Sequence, residues 1–232
     1  MAAAQASKER PILFAGAMVR ALLDGSKTQT RRALHNQVTA PAIMQMAGPD
    51  YAEIINEHGV DIPGWTCPYG QPGDRLWVRE TFLDTQGTGA EYRDEQGRRQ
   101  RFAYAADTAP GSYGDEARKD YGLKWKPSIH MPRAASRILL EIVSVRVERL
   151  QDISEADAFA EGIEPVVVPT CCGEPHREDH GVLGIETHCC GEPIEDEKAA
   201  PAYRKLWEQI NGAGSWDANP WVWVVEFNRV AP

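Results

Sequence analysis

The sequence lacks the long hydrophobic segments that define membrane and secreted proteins. None of its apolar runs approaches the length of about 20 residues that a membrane-spanning helix needs. The first ten residues, Met1 to Arg10, have no apolar stretch of signal-peptide type, and we expect them to be disordered. We therefore predict a cytoplasmic protein with no membrane contact. Its apolar content of 42% is sufficient for a hydrophobic core.

The chain also lacks an overall basic charge. Its formal net charge is −9, which argues against a broad phosphate-binding surface. The acidic residues are unevenly distributed, however, because 13 of them and only one basic residue, Arg177, lie between Asp152 and Glu197. The rest of the chain has a slight basic excess and can still meet a nucleotide or nucleic acid locally.

Cysteine is scarce, and four of the five cysteines lie in one short region. The pentapeptide Cys-Cys-Gly-Glu-Pro begins at Cys171 and recurs 18 residues later at Cys189. Clustered cysteines in a cytosolic chain indicate metal ligands rather than disulfides. We predict a structural zinc site, with candidate ligands Cys171, Cys172, His176, Cys189 and Cys190. Adjacent side chains diverge, so one cysteine of each pair with histidines is favoured over four thiolates. The alternative is disorder, because the segment is acidic and rich in Gly and Pro.

Alternating apolar residues predict several strands. The strongest lie at 75–82, 136–150 and 221–230, and a break of alternation near Ile142 and Val143 indicates a β-bulge. Short helices are expected from Ser154 to Gly162 and from Tyr203 to Ile210. We predict an α+β, mainly β protein in which residues 11–232 form one domain. Two insertions interrupt it, an irregular one at about 35–72 and the Cys/His segment at about 164–197.

A polar segment, Gly25-Ser26-Lys27-Thr28-Gln29-Thr30-Arg31-Arg32, follows the first helix. Lys27 and Thr30 are three residues apart on an extended or turning segment, so they can meet in one pocket. A threonine hydroxyl is a weak nucleophile that needs a base, and a desolvated lysine can be neutral enough to serve. The alternative interpretation of such a segment is a solvated edge strand.

This segment resembles the signature of the ASCH family, Gly-x-Lys-x-x-Glu-x-Arg. Gly25, Lys27 and Arg32 match, and Thr30 replaces the glutamate, as in the family's N(4)-acetylcytidine amidohydrolase branch. Gly73-Asp74, residues 152–163 and residues 222–227 fit the same template, and the whole chain is similar to prophage-encoded ASCH proteins. The resemblance implies a PUA-like closed β-barrel with short flanking helices and loop insertions. It also implies that Lys27, Thr30 and Glu161 are catalytic.

The resemblance further implies hydrolysis of the exocyclic amide of an acylated cytidine, with no cofactor required for catalysis. Whether Thr30 attacks the amide, or Lys27 or Glu161 activates water instead, stays open. An arginine or tryptophan near a barrel mouth can bind a base, so Arg32, Trp77, Arg79 and Arg133 are candidate substrate-binding residues. The expected partner is a modified nucleoside or nucleic acid. The alternative functions are a non-catalytic RNA-binding or nucleic-acid-binding module and a ribonuclease. Oligomeric state is not indicated by the sequence.

Overall fold

The computed structural model describes residues 7–35, 37, 43–55, 61–93, 97–164, 166–171, 174–175 and 194–231. Its helices are α1 (Gly16–Asp24), α2 (Tyr113–Asp120), α3 (Glu155–Ala160) and α4 (Ala200–Asn211). Its strands are β1 (Glu9–Leu13), β2 (Gln29–Ala33), β3 (Ile43–Met46), β4 (Tyr51–Ile55), β5 (Asp61–Thr66), β6 (Arg75–Arg79), β7 (Phe82–Asp84), β8 (Tyr92–Arg93), β9 (Arg99–Gln100), β10 (Phe102–Tyr104), β11 (Leu139–Arg149), β12 (Val166–Cys171), β13 (Glu174–Pro175), β14 (Ile194–Lys198) and β15 (Trp221–Val230). The protein is α+β and mainly β, as the alternation of apolar residues predicts.

A five-stranded sheet in the order β1-β6-β11-β15-β2 is the centre of the fold. β1 and β6 are parallel, and the other neighbours are antiparallel. None of the sheets among the described residues closes, so the predicted closed barrel is not seen there. The two edge strands nevertheless approach each other, because Arg32 on β2 donates a hydrogen bond to the carbonyl of Leu13 at the end of β1. The sheet is therefore strongly curved.

β15 is buried on both faces because a hydrophobic core packs against each of them. Trp223, Val225 and Phe227 face the larger core, which includes residues of α1 and β11. Val222 and Val224 face a smaller core formed with α3 and α4. The near-continuous apolar sequence of β15 follows from this two-sided burial. The two cores thus lie on opposite faces of β15, with α1 packed in one and α3 and α4 in the other.

Local signals in the sequence account for several element boundaries. The register of β11 against β15 shifts between Ile142 and Ser144, which confirms the predicted bulge and leaves Val143 50% exposed. Ser154 and Asp157 form a capping box at the start of α3, as predicted. Gly25 ends α1 with φ of 86°, a conformation that glycine adopts without penalty.

Both predicted insertions contain strands. The segment at 35–72, predicted to be irregular, includes the antiparallel sheet β3-β4-β5, whose Met44 and Ala52 join the larger core. The Cys/His segment contains the sheet β13-β12-β14. The predicted disordered terminus is also too long, because Glu9 and Arg10 pair with β6 in β1. Short paired strands show too little apolar alternation to be recognised from sequence, so these strands were not predicted.

A further set of small elements lies between β6 and β11. β7 pairs with β10, β8 pairs with β9, and α2 follows β10. We call residues 82–126 the extension. Within the described part of the chain, no helix has the length and apolar character needed to cross a membrane.

Candidate active site

A cavity of about 170 Å³ lies where the edge strand β2 meets α1, the end of α3 and α4. Lys27, Thr30 and Glu161, the three predicted catalytic residues, all line it. Leu13 and Ile210 in its wall are 38% and 60% exposed, so the cavity opens to the surface. An apolar cavity of about 150 Å³ accommodates benzene, so this one has room for a single six-membered ring.

Lys27 and Glu161 form a buried ion pair in the cavity wall. The Lys27 Nζ lies 2.7 Å from Glu161 Oε2 and also donates to the Glu161 backbone carbonyl at 2.8 Å. Their side chains are only 1% and 5% exposed. Burial lowers the pKa of Lys27, although the carboxylate of Glu161 opposes this effect. The amine therefore loses its proton more readily than an exposed lysine does.

Backbone hydrogen bonds set this contact. Lys27 and Glu161 form an isolated antiparallel bridge, and the amide of Thr28 donates to the carbonyl of Ala160 at 2.8 Å. Gly162 follows with φ of 77°, which turns the chain immediately after Glu161. The end of α3 is thus attached to the segment that enters β2, and the two side chains meet although 134 residues separate them.

Thr30 lies on β2 opposite Val225 and is 3% exposed. Its side chain reaches the cavity, but in the described part of the chain its hydroxyl makes no hydrogen bond to Lys27 or Glu161. Catalytic hydrogen bonds are often long in ligand-free sites and shorten when substrate binds. The structure therefore brings the predicted triad into one cavity, with two of its members in direct contact.

Arg31 is a buried residue of the site that the sequence analysis missed. Its side chain is fully buried, and its Nη2 lies 3.0 Å from Glu148 and 3.2 Å from Asp157. Its Nη1 lies 3.7 Å from Glu161 Oε1, and neither of these two atoms has a hydrogen-bond partner among the described residues. Charged side chains usually face solvent, so the sequence gives no sign that Arg31 is buried beside Glu161.

Arg32 lies on the face of β2 opposite to Arg31 and lines the same cavity, and its role in substrate binding stays a prediction. Its guanidinium lies 5.1 Å from the centroid of the Phe14 ring, and its Nη2 donates a hydrogen bond to the carbonyl of Leu13 at 2.7 Å. The Lys27 Nζ lies 5.7 Å from the same ring. The Phe14 ring therefore contacts both cations and forms an apolar part of the cavity wall.

Tyr203 and Trp207 on α4 form the opposite wall. Burial raises the pKa of Tyr203 well above its ordinary value, and Glu161 adds to this effect. The indole nitrogen of Trp207 has no hydrogen-bond partner among the described residues. The sequence predicts the amphipathic helix but not its position over β2, because that depends on packing between distant elements.

The other three predicted substrate-binding residues do not line this cavity. Arg79 donates to the carbonyl of Met131 at 3.1 Å and lies over the ring of Trp77. Arg133 pairs with Glu9 at the surface. Their positions differ from the prediction because each has a partner within the protein, away from β2.

The predicted zinc ligands lie almost entirely outside the described residues. Cys171 ends β12, and Cys172, His176, Cys189 and Cys190 fall in undescribed segments. Within the residues that are described, no group of three or more His, Cys, Asp or Glu side chains has an arrangement suited to a metal ion. The zinc site stays a prediction.

Comparison of the chain with models of known protein families, with curated proteins and with solved structures finds no match.

Proposed function

We propose that the protein hydrolyses the exocyclic amide of an N(4)-acylated cytosine nucleoside, such as N(4)-acetylcytidine. The observation that carries this proposal is the buried Lys27–Glu161 pair, which lines one cavity together with Thr30. Perturbed ionisable groups in a cleft are typical of catalytic sites. The resemblance to the ASCH signature supplies the substrate class, and the size of the cavity suits a single pyrimidine ring with its sugar outside.

The hydrogen bonds of Lys27 suit a general base. A neutral amine has two N–H bonds and one lone pair, and Glu161 accepts two hydrogen bonds from the Lys27 Nζ. The lone pair of a neutral Lys27 is then available to a hydroxyl in the cavity. The lowered pKa of Lys27 increases the fraction of enzyme in this state.

The proposed reaction proceeds through an ester on Thr30. Lys27 takes the hydroxyl proton as the Thr30 oxygen attacks the acyl carbon, and the proton passes to the leaving N4 as the C–N bond breaks. Water, deprotonated by Lys27, then attacks the ester, which releases the carboxylic acid and regenerates Thr30. Glu161 orients the amine throughout. In the alternative route Lys27 or Glu161 activates water, which attacks the amide directly.

We also propose that the curved central sheet is a PUA-like barrel. The contact between Arg32 and Leu13 supports this, since it joins the two edges that a barrel would close. The same contact brings the cavity residues of β1 and β2 together.

The test is hydrolysis of N(4)-acetylcytidine by the purified protein, followed by separation of cytidine from substrate. We expect wild type to release cytidine, and Lys27→Ala, Thr30→Ala and Glu161→Gln to lose activity by about 100-fold or more. Matched controls are the exposed neighbours Thr28→Ala and Glu164→Gln and the exposed helix residue Lys205→Ala, which should remain active.

Mass spectrometry during turnover distinguishes the two routes. An increase equal to one acetyl group on the peptide that contains Thr30 supports the ester route. Activity retained by Thr30→Ala favours direct attack by water. If folded wild-type protein leaves N(4)-acetylcytidine and other acylated cytosines intact, the proposal is wrong.

A further inference from the structure

The extension contains a second concave surface, away from the residues to which amide hydrolysis is assigned. Two cavities of about 490 and 440 Å³ adjoin there, since both are lined by Leu83 and Leu123. None of their lining residues belongs to the cavity around Lys27. We call this continuous surface the extension groove.

Aromatic side chains line one half of the extension groove. Tyr113 is 92% exposed and Tyr121 is 57% exposed, and Tyr92 and Trp125 line the same cavity. Large aromatic rings at such exposure contribute little to the core, but their faces can stack on planar ligands. The rings therefore form a platform that is open to solvent.

The position of Trp125 is set by Arg118. The guanidinium of Arg118 lies 5.4 Å from the Trp125 ring, and it is held by Asp115 at 2.8 Å and by the Leu123 carbonyl at 2.6 Å. These partners come from α2 and from the loop after it. The aromatic half of the groove is thus built on an ordered scaffold.

The other half of the groove carries two exposed lysines, Lys124 and Lys126. The one carboxylate among its described lining residues, Asp84, pairs with Arg101 and also lies within electrostatic reach of Lys126. Glu91 belongs to the aromatic half and pairs with Arg93 and Arg99. Lys124 is exposed, and no carboxylate pairs with it among the described residues. Lys126, also exposed, lies with its Nζ 6.0 Å from the centroid of the Phe82 ring. An exposed lysine without a carboxylate partner, next to the aromatic half, favours an anionic ligand.

We propose that the extension groove binds single-stranded nucleic acid, with bases stacked on Tyr113 and Tyr121 and phosphates beside Lys124 and Lys126. Sites that bind single strands with little sequence preference combine exposed aromatic rings with exposed cations, and the extension groove has both. The proposal is independent of amide hydrolysis, because the two sites have no lining residue in common.

The test is fluorescence anisotropy of labelled single-stranded oligonucleotides of about eight nucleotides, within the usual range of single-strand sites. RNA and DNA strands without acetylated bases are both titrated with the full chain. We expect binding that Tyr113→Ala and Tyr121→Ala each weaken by at least about fivefold, the lower end of base stacking, and that Tyr113→Phe preserves.

The salt dependence tests the cationic half. We expect Lys124→Ala to reduce the slope of log K against log salt by about 0.7, the value for one phosphate contact on a single strand. Lys205→Ala, at an exposed position of α4, and Glu164→Gln, at an exposed position outside the groove, should bind like wild type. An unequal affinity for RNA and DNA would show which strand fits the groove.

Three results would overturn the proposal. They are no binding at low salt, binding that the tyrosine variants leave unchanged, and a salt slope that Lys124→Ala does not alter. Because anisotropy does not depend on turnover, failure here leaves amide hydrolysis untouched, and the converse also holds.

Discussion

At the scale of single residues, the Lys27–Glu161 pair is poorly explained by stability alone. Removing two charges from water costs several kcal/mol per ion, and an apolar pair of the same volume is often as stable. The two side chains are nevertheless almost completely buried beside a cavity. A costly pair at this position is better explained by the chemistry that we propose for it.

Gly162 provides the residue-scale prediction. A Cβ added there would lie 2.7 Å from the Cβ of Ala21 and 2.9 Å from that of Lys27, and the residue has φ of 77°. We expect Gly162→Ala to reduce the free energy of unfolding by about 2–4 kcal/mol, through a strained backbone and overpacking. Urea denaturation measures this, and turnover of the folded fraction should fall because Lys27 is displaced.

Gly25→Ala is the matched control. Gly25 has φ of 86°, but nothing lies within 4 Å of the position of an added Cβ. Its substitution should cost only the backbone strain, about 1–2 kcal/mol. Equal losses in the two variants would show that contact with Lys27 and Ala21 is unimportant.

At the scale of secondary-structure elements, Arg31 connects β2 with β11 and α3. Its partners Glu148 and Asp157 also contact Arg146, and Arg146 in turn pairs with Glu226 on β15. This charged network holds the helix that ends at Glu161 against the sheet. The position of the Glu161 carboxylate therefore depends on residues outside the cavity.

Replacement of Arg31 tests this arrangement. We expect Arg31→Met to destabilise the protein by about 1.5–3 kcal/mol, since two partly buried carboxylates lose one of their two cationic partners. The control is Arg75→Met, because Arg75 and Glu141 are 39% and 43% exposed and lie 3.6 Å apart, a pair that contributes less than about 1 kcal/mol. Thermal or urea unfolding of both variants gives the comparison, and similar effects would contradict a structural role for the network.

The elements also show what the sequence could predict. β11 and β15 were predictable because long stretches of apolar, strand-forming residues dominate their sequences. The cap of α3 was predictable because its side chains bond locally. α2 has almost no apolar periodicity, since Asp115 is its one buried residue, and it was missed. The pairing of Lys27 with Glu161 was expected only through the family resemblance, and Arg31 and the α4 wall depend on packing that no local pattern encodes.

At the scale of the whole molecule, an ion cluster attaches the extension to the central sheet. Arg137, just before β11, forms two hydrogen bonds with Glu80 at 2.9 and 3.0 Å and also contacts Asp107. Its guanidinium lies 3.9 Å from the centroid of the Tyr104 ring on β10. Glu80 is 2% exposed, and burial raises its pKa although Arg137 opposes this. Because these contacts join the extension to the central sheet, their loss should lower the free energy of unfolding of the whole protein.

Arg137→Ala should therefore destabilise the protein in a pH-dependent manner. A carboxyl whose pKa is raised on folding binds more protons in the folded state than in the unfolded state. Its contribution to stability therefore falls as the pH rises from its unfolded-state pKa to its folded-state pKa. Without Arg137 the folded-state pKa of Glu80 rises further. The pH range over which ionisation of Glu80 destabilises the protein then becomes wider. We expect a loss of about 3–5 kcal/mol near neutral pH, where Glu80 is ionised and unpaired, and a smaller loss at about pH 5.

Urea denaturation at the two pH values measures this effect. Arg101→Ala is the control, because Arg101 pairs with Asp84 at the surface and its loss should change stability little at either pH. A loss for Arg137→Ala that is the same at both pH values would contradict the role assigned to Glu80.

The place of β15 between β11 and β2 has a consequence for biosynthesis. β2 joins the central sheet only through β15, which the ribosome makes roughly 10–40 s later at ordinary rates of elongation. During that interval β2 is a strand without a neighbour, and such strands invite aggregation. Its sequence, Gln-Thr-Arg-Arg-Ala, preceded by Lys27, is too polar and charged to pair readily with other chains. The same side chains that line the cavity of the finished protein thus protect the nascent one.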